Sequence, residues 1–333
     1  MRGRFSFLLL ALAAFAGCGA SCKKGPGDTA TPDDVPIIDL PGVDTSSLIG
    51  SEKKAFSKIV HDYMSPCGDP VTLEVCVKEA RACKRCLPAA KAVASMVPKG
   101  EGEKEIRDWL DNRFDDKSVK SIDLSGSPSL GPSDAPIVIV EFADFECPHC
   151  GVAAPVLHTV IGTPEFKTKT RFIFDEFPLT GHEHAEPAAR AAVAAMLQGK
   201  FWEMHDQLFT HQEQLTNPDI EGYARKIAGL DFEKWKADWA SPAVKDRVQH
   251  DRDLGTQLGV QGTPSIFING RKFSTIGHAG FEEQLTDWLR LELSLLGNTS
   301  PPTPKPSTSG ASSGSPSAMP SGSSSAVPSA VPK

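Results

Sequence analysis

The chain has 333 residues and a formal net charge of −7, with 42 acidic side chains against 35 Lys and Arg. That balance argues against nucleic acid as a partner, because phosphate backbones are held by clustered cationic surface. Eight cysteines in an otherwise ordinary composition point to an oxidising compartment, where disulfides persist.

At the N-terminus, Arg2 and Arg4 precede an apolar run over residues 5–16. It is too short to span a bilayer as a mature helix and has the form of a secretory signal. Its end, Phe15-Ala16-Gly17-Cys18, resembles the lipobox of bacterial lipoproteins, although Phe15 stands where such motifs commonly carry Leu. Residues 1–18 are therefore read as a signal peptide whose Cys18 is lipidated, and the expected location is the periplasm or cell envelope. A lipid would tie the chain to a membrane face without spanning it. Ordinary cleavage near Gly19 or Ala20 would leave it unanchored.

Residues 19–50 are rich in Pro, Gly, Asp and Thr and show no periodicity, which predicts a solvated tether. Cys22 receives no role there. Residues 51–120 change character. Leu73, Val77, Ala80 and Ala82 predict one helical run, Ala90, Val93 and Val97 a second, and Ile106, Trp109, Leu110 and Phe114 a third. So short a bundle has little core, and its Cys67, Cys76, Cys83 and Cys86 are expected to form two disulfides in one of three pairings. A zinc site is the lesser reading. Cys83-Lys84-Arg85-Cys86 is also a C-x-x-C flanked by cations, so a secondary redox pair stays open. Its surroundings faintly resemble the helical hairpin of cytochrome c maturation thiol proteins, but Leu87-Pro88 departs from that pattern.

Residues 116–134 read as a linker, with Ser-Gly-Ser-Pro at 125–128 and Gly131-Pro132. The domain beyond it, residues 121–297, opens on Ile137-Val138-Ile139-Val140, a buried strand. This strand delivers Cys147-Pro148-His149-Cys150 to the start of a helix. Free backbone N–H groups and the helix dipole favour a thiolate at Cys147, with Pro148 suited to the first helical turn. His149 can add charge or a hydrogen bond, and Cys150, one turn on, can resolve a mixed disulfide. A structural disulfide or half a zinc site is the bland alternative.

A second strand follows at residues 170–174, then helical segments over about residues 183–259. Asn217-Pro218 and Ser241-Pro242 read as helix starts. Phe201, Trp202, Phe209, Tyr223, Phe232, Trp235 and Trp239 are taken as core, and His182-Glu183-His184 as a surface loop without metal. A strand at 265–268, the hairpin turn Asn269-Gly270, a return strand and an amphipathic helix over 281–296 complete the domain. Residues 298–333 are mostly Ser, Pro, Gly and Ala, with almost no charge or large apolar side chain, and are expected to be disordered.

This order is that of an α/β thioredoxin fold with an inserted helical domain, preceded by a small cysteine-containing helical domain. Its motifs resemble the DsbA family of exported thiol-disulfide oxidoreductases. The likeness rests on Glu141-Phe142, Phe145-Glu146-Cys147-Pro148-His149-Cys150, Phe177-Pro178-Leu179, Gly199-Lys200-Phe201-Trp202 and residues 259–264, GVQGTP. It implies a cis Thr263-Pro264 bond that presents the Thr263 backbone to an extended substrate, and a buried Glu141 that moves protons. It also implies catalysis by Cys147 and Cys150 without a cofactor. The expected activity is oxidation of cysteine pairs in reduced or misfolded extracytoplasmic proteins, with a membrane redox partner restoring the disulfide. Two alternatives remain at this point: a reductase or isomerase relaying electrons through Cys83 and Cys86, and a non-catalytic binding lipoprotein on the same scaffold.

Overall fold

The computed structural model describes residues 35–275 and 280–296. The signal segment, Cys18, Cys22 and residues 298–333 lie outside the described residues. The first unit contains α1 (Gly50–Asp62), α2 (Leu73–Lys78), α3 (Cys86–Met96) and α4 (Glu103–Phe114). Phe56, Ile59, Val60, Leu73, Val93, Ile106, Leu110 and Phe114 form its core.

Two readings of this region are corrected. Residues 35–49 are not a solvated tether: Ile38, Leu40 and Leu48 are buried in the helical core, and Ile38 N donates to the Oγ of buried Ser57 at 2.8 Å. Average composition hides three apolar residues that a small bundle needs to cover its helices. The unit also begins with a helix, α1, that the periodicity of residues 73–114 does not announce. α2 stops at Lys78, short of Ala82, because Ala80 adopts φ 48° and turns the chain back.

Cys67 bonds to Cys83 and Cys76 to Cys86, with Cα separations of 5.8 and 6.1 Å. Cys83 and Cys86 are therefore not partners. The C-x-x-C at 83–86 is split between two staples, which corrects the reading of Cys83 and Cys86 as partners in this structure.

The second unit is built on β1 (Ser129–Leu130), β2 (Ile137–Ala143), β3 (Thr170–Glu176), β4 (Ser265–Ile268) and β5 (Arg271–Lys272), in the order β1-β3-β2-β4-β5. β2 and β3 are parallel; the other pairs are antiparallel. β1 lies inside the segment read as linker and caps one sheet edge. α5 (Pro148–Gly162) crosses between β2 and β3. The five helices α6 (Ala185–Met196), α7 (Phe201–Thr210), α8 (Asn217–Lys226), α9 (Phe232–Trp239) and α10 (Pro242–Gln257) intervene before β4, and α11 (Phe281–Leu296) closes the unit. Both faces of the sheet are covered, so β2 and β3 are buried almost throughout instead of alternating between buried and exposed positions. The insertion aromatics pack as expected: Phe201, Tyr223 and Trp235 are buried, and Trp202, Phe209, Phe232 and Trp239 lie against the same core.

Local chemistry sets the boundaries. Ser241 caps α10 by accepting from Val244 N, and Pro242 follows it. At α8 the cap is Thr216 and not Asn217, because the Thr216 hydroxyl pairs with Asp219 and leaves Pro218 inside the first turn. Asn269 and Gly270 turn β4 into β5 with φ of 49° and 77°. A Cβ on Gly270 would also lie 2.4 Å from the Lys120 carbonyl, so this glycine is required twice over.

The helical unit docks on the β5 edge and on α11. Arg113, 1% exposed, places Nη1 2.6 Å from Glu292 Oε1 and its guanidinium 4.2 Å over the Trp288 ring. Arg271 pairs with Asp116 at 3.0 Å, and Asn112 donates to the Lys272 carbonyl. β5 neighbours Phe267 and Ile268, whose partners in β2 are Val140 and Ile139. Cys147 follows the far end of β2, beyond Ala143.

Candidate active site

β2 ends at Ala143 and the chain reaches α5 through Asp144, Phe145 and Glu146. Cys147 is the N-cap, with extended φ −75° and ψ 120°, and Pro148 occupies the first turn, where a missing N–H costs nothing. The Cys147 carbonyl accepts from the N–H groups of Cys150 at 3.0 Å and Gly151 at 3.1 Å. Cys147 and Cys150 are free thiols, 4% and 0% exposed, while Pro148 and His149 face solvent. Both cysteines are thus buried, Cys147 the less completely and directly behind the exposed Pro148-His149 turn.

The Thr263–Pro264 bond is cis and stands at the entrance to β4. Cys147 Sγ donates to the Thr263 carbonyl oxygen at 3.3 Å. Ser265, the next residue after Pro264, pairs with Phe142, so sheet register itself brings this loop beside the C-x-x-C. Pro264 has no N–H to compete for that carbonyl or for a substrate strand.

Glu141 lies within β2 between Phe174 of β3 and Ile266 of β4, is fully buried, and neither carboxyl oxygen has a hydrogen-bond partner. Burial pushes its carboxyl up to about 8. Burial also holds the Cys150 thiol well above its ordinary range, and the Glu141 carboxylate adds to that rise. A carboxyl that titrates near neutrality and feels the Cys150 charge can exchange a proton with that sulfur as it is released or attacked.

Asp144, His182 and Gln212 hold the loop, and of these the sequence singled out His182 alone. Asp144 is buried; its Oδ1 accepts from Glu146 N at 2.7 Å, and its Oδ2 accepts from Leu179 N at 2.9 Å and lies 2.7 Å from His182 Nδ1. The Asp144 carbonyl accepts from Cys147 N at 3.1 Å. The segment read as a surface loop is therefore strapped to the active-site loop, with His184 N also donating to Glu146 Oε2 at 2.6 Å. The third residue, Gln212, lies between α7 and α8, and its Nε2 donates to the carbonyls of Phe145 at 2.8 Å and Cys147 at 2.7 Å. A Cβ on Gly151 would meet Gln212 Oε1 at 2.3 Å, so the glycine lets the amide approach. Asp144 had a weak sequence signal, an acid directly after a buried strand; Gln212 had none.

Residues 124–287 match the Thioredoxin_4 family model, described as thioredoxin. The second unit is a thioredoxin fold. Its helical insertion lies between β3 and β4, and the small cysteine-containing helical unit precedes it. The Na(+)/H(+) antiporter NhaA 3 of Salinispora tropica is 41% identical over 143 residues, 43% of this chain and 21% of that protein. The chain thus spans about a fifth of the length of that curated relative. Among solved structures, oxidised BdbD from Bacillus subtilis is 24% identical, covering 53% of this chain and 97% of that one, with a TM-score of 0.48. A thioredoxin-like oxidoreductase from Silicibacter pomeroyi is 28% identical, covering 55% and 97%, with a TM-score of 0.45. Among the described residues no helix is long and apolar enough to cross a membrane.

Proposed function

We infer that the chain is an exported, DsbA-like thiol-disulfide oxidoreductase that oxidises cysteine pairs in extracytoplasmic proteins. The observation that carries this reading is Cys147 at the N-cap of α5, with Sγ 3.3 Å from the carbonyl beside a cis proline and Cys150 buried one turn behind. In the oxidised enzyme a substrate thiolate attacks Cys147 Sγ, the Cys147–Cys150 bond breaks, and Cys150 leaves with the electron pair and takes up a proton. The second substrate cysteine, once deprotonated, then attacks the substrate sulfur of the mixed disulfide and releases Cys147. Two electrons and two protons pass from the substrate dithiol to the enzyme. A membrane redox partner restores the disulfide, and a lipid on Cys18 would hold the enzyme at the cell envelope beside it.

Substrate selection on this reading is by backbone and apolar surface instead of by sequence. Thr263 offers backbone to an extended chain, and Val152, 69% exposed and next to the active-site turn, supplies apolar surface suited to unfolded proteins.

The test is the reduction potential of the pair in the full chain, equilibrated with glutathione and read on the peptide holding Cys147 and Cys150. A value near about −120 mV, as in DsbA, supports the oxidase; one near about −270 mV, as in thioredoxin, replaces it with a reductase.

A further inference from the structure

The helical unit carries more sulfur chemistry than two staples require. Cys76 Sγ, Cys83 Sγ and Cys86 Sγ all lie within 4.8 Å of one another, although Cys83 belongs to one disulfide and Cys76 and Cys86 to the other. The two bonds differ in access: Cys67 is exposed and Cys83 half-buried, whereas Cys76 and Cys86 are 1% and 2% exposed. Beside the inner disulfide sits the buried hydroxyl of Ser65, its Oγ 3.8 Å from Cys76 Sγ and 3.6 Å from Cys86 Sγ. That hydroxyl is placed to donate to an inner sulfur that becomes a thiolate.

We propose that these four cysteines are a second thiol-disulfide exchange centre, in which electrons entering at the exposed Cys67–Cys83 bond are passed inward by transfer of the inner disulfide to Cys83 and Cys86. The reductant is a dithiol. One of its thiolates attacks exposed Cys67 Sγ, the Cys67–Cys83 bond breaks, and Cys83 leaves as the thiolate. The second thiol of the reductant, deprotonated, resolves the mixed disulfide, leaving Cys67 as a thiol and the reductant as a disulfide. Cys83 then attacks neighbouring Cys86 Sγ, the Cys76–Cys86 bond breaks, and Cys76 leaves beside Ser65 and is protonated. The first exchange moves two electrons and two protons into the unit; the second moves none and only relocates the bond. The product is a Cys83–Cys86 disulfide, the C-x-x-C of the sequence, with Cys67 and Cys76 as thiols. The resting pairing is therefore one of two states of the unit.

The sequence makes the states separable. Cleavage after Lys78, Arg81, Lys84 and Arg85 puts Cys83 and Cys86 on different peptides, each apart from Cys76. The full chain would be treated with limiting dithiothreitol, quenched at intervals by alkylation under native conditions, and mapped by mass spectrometry for species in which this unit holds two thiols. The expected two-thiol species carries label on Cys67 and Cys76 and a Cys83–Cys86 bond. Label on Cys67 and Cys83 with Cys76–Cys86 intact would overturn the proposal, as would the opening of both bonds together. Cys67→Ser provides a second test without reductant, because it leaves Cys83 unbonded. Its expected equilibrium holds on the order of a tenth or more of molecules with Cys83 bonded to Cys86, since similar disulfides exchange with constants near unity. Complete retention of Cys76–Cys86 in the folded variant would overturn it. Neither readout involves Cys147 or Cys150, so the outcome is independent of the activity proposed for that pair.

Discussion

The side-chain amide of Gln212 donates to the carbonyl oxygen of Cys147 at 2.7 Å, and the same nitrogen reaches the Phe145 carbonyl at 2.8 Å. The helical insertion thereby fixes the backbone that carries Cys147. Gln212→Ala takes the side-chain donor from the Phe145 carbonyl and leaves the Cys147 carbonyl only its helical N–H donors, and Gln212→Glu sets a carboxylate against both. Each variant is expected to lose about 1–3 kcal/mol of stability, the cost of removing a donor from a partly buried acceptor, with Glu worse than Ala. Urea denaturation measures this, and slower exchange with a model dithiol is expected alongside it.

Glu141 sets a pH dependence whose sign follows from its burial. Its carboxyl is raised from 4.5 to about 8 on folding. Between those values the folded state holds the proton that the unfolded state has lost, so this group's contribution makes stability fall as pH rises and then level off above about 8. Glu141→Gln removes that penalty. The variant is expected to match the wild type near pH 4.5 and to exceed it by on the order of 4 kcal/mol by pH 8, while exchanging thiols more slowly for want of a proton carrier. Taking the difference between the two proteins cancels the other buried acids, Asp175 and Glu176, whose carboxyls burial also raises. Equal pH profiles for the two would show that Glu141 is paired in solution.

Access to the two active-site sulfurs is unequal. Cys147 is the less completely buried and stands beside Thr263, whereas Cys150 is fully buried and its thiol is held protonated. Iodoacetamide on the reduced protein is expected to label Cys147 faster than Cys150 by roughly tenfold or more, since reactivity follows thiolate character and exposure. Cys150→Ser is expected to accumulate a mixed disulfide through Cys147, and Cys147→Ser to accumulate none. Non-reducing mass measurement after incubation with a thiol-bearing peptide distinguishes these outcomes.

The joint between the two units rests on a buried ion pair. Arg113→Met leaves Glu292 buried without its ion-pair partner, held by Asn269 Nδ2 at 2.8 Å and the charge of nearby Arg271, and is expected to cost about 3–5 kcal/mol in urea unfolding. Adding Glu292→Gln removes the stranded charge and is expected to restore at least half of that loss. A small effect of Arg113→Met would show that neither the ion pair nor the guanidinium stack on Trp288 holds the units together.

Much of the fold was legible because its signals are local. The β-branched run at 137–140, the turn Asn269-Gly270 and the helix over Phe281–Leu296 each depend on a few consecutive side chains, and the structure places them where periodicity and turn chemistry do. Less was legible in the helical unit. Ile38, Leu40 and Leu48 are three apolar residues in a polar stretch, and only the core they cover marks them as structural. The two-residue strand β1 is held by its register with Ile173 and Phe172 and carries no pattern of its own.

The sequence alone determined where the C-x-x-C stands, because a C-x-x-C opening a helix after an apolar strand needs only neighbouring residues to set its geometry, and Glu141 is conspicuous as an acid in an apolar strand. Tertiary structure alone decided which distant groups meet. It set Thr263 against Cys147 across 116 residues, Gln212 across 65, and Asp144 against His182 across 38. It also chose Cys67–Cys83 and Cys76–Cys86 over the pairing that the C-x-x-C spacing suggests. Pairing of that kind follows from where two helices and the loops before them put their sulfurs, and separation along the chain carries no information about it.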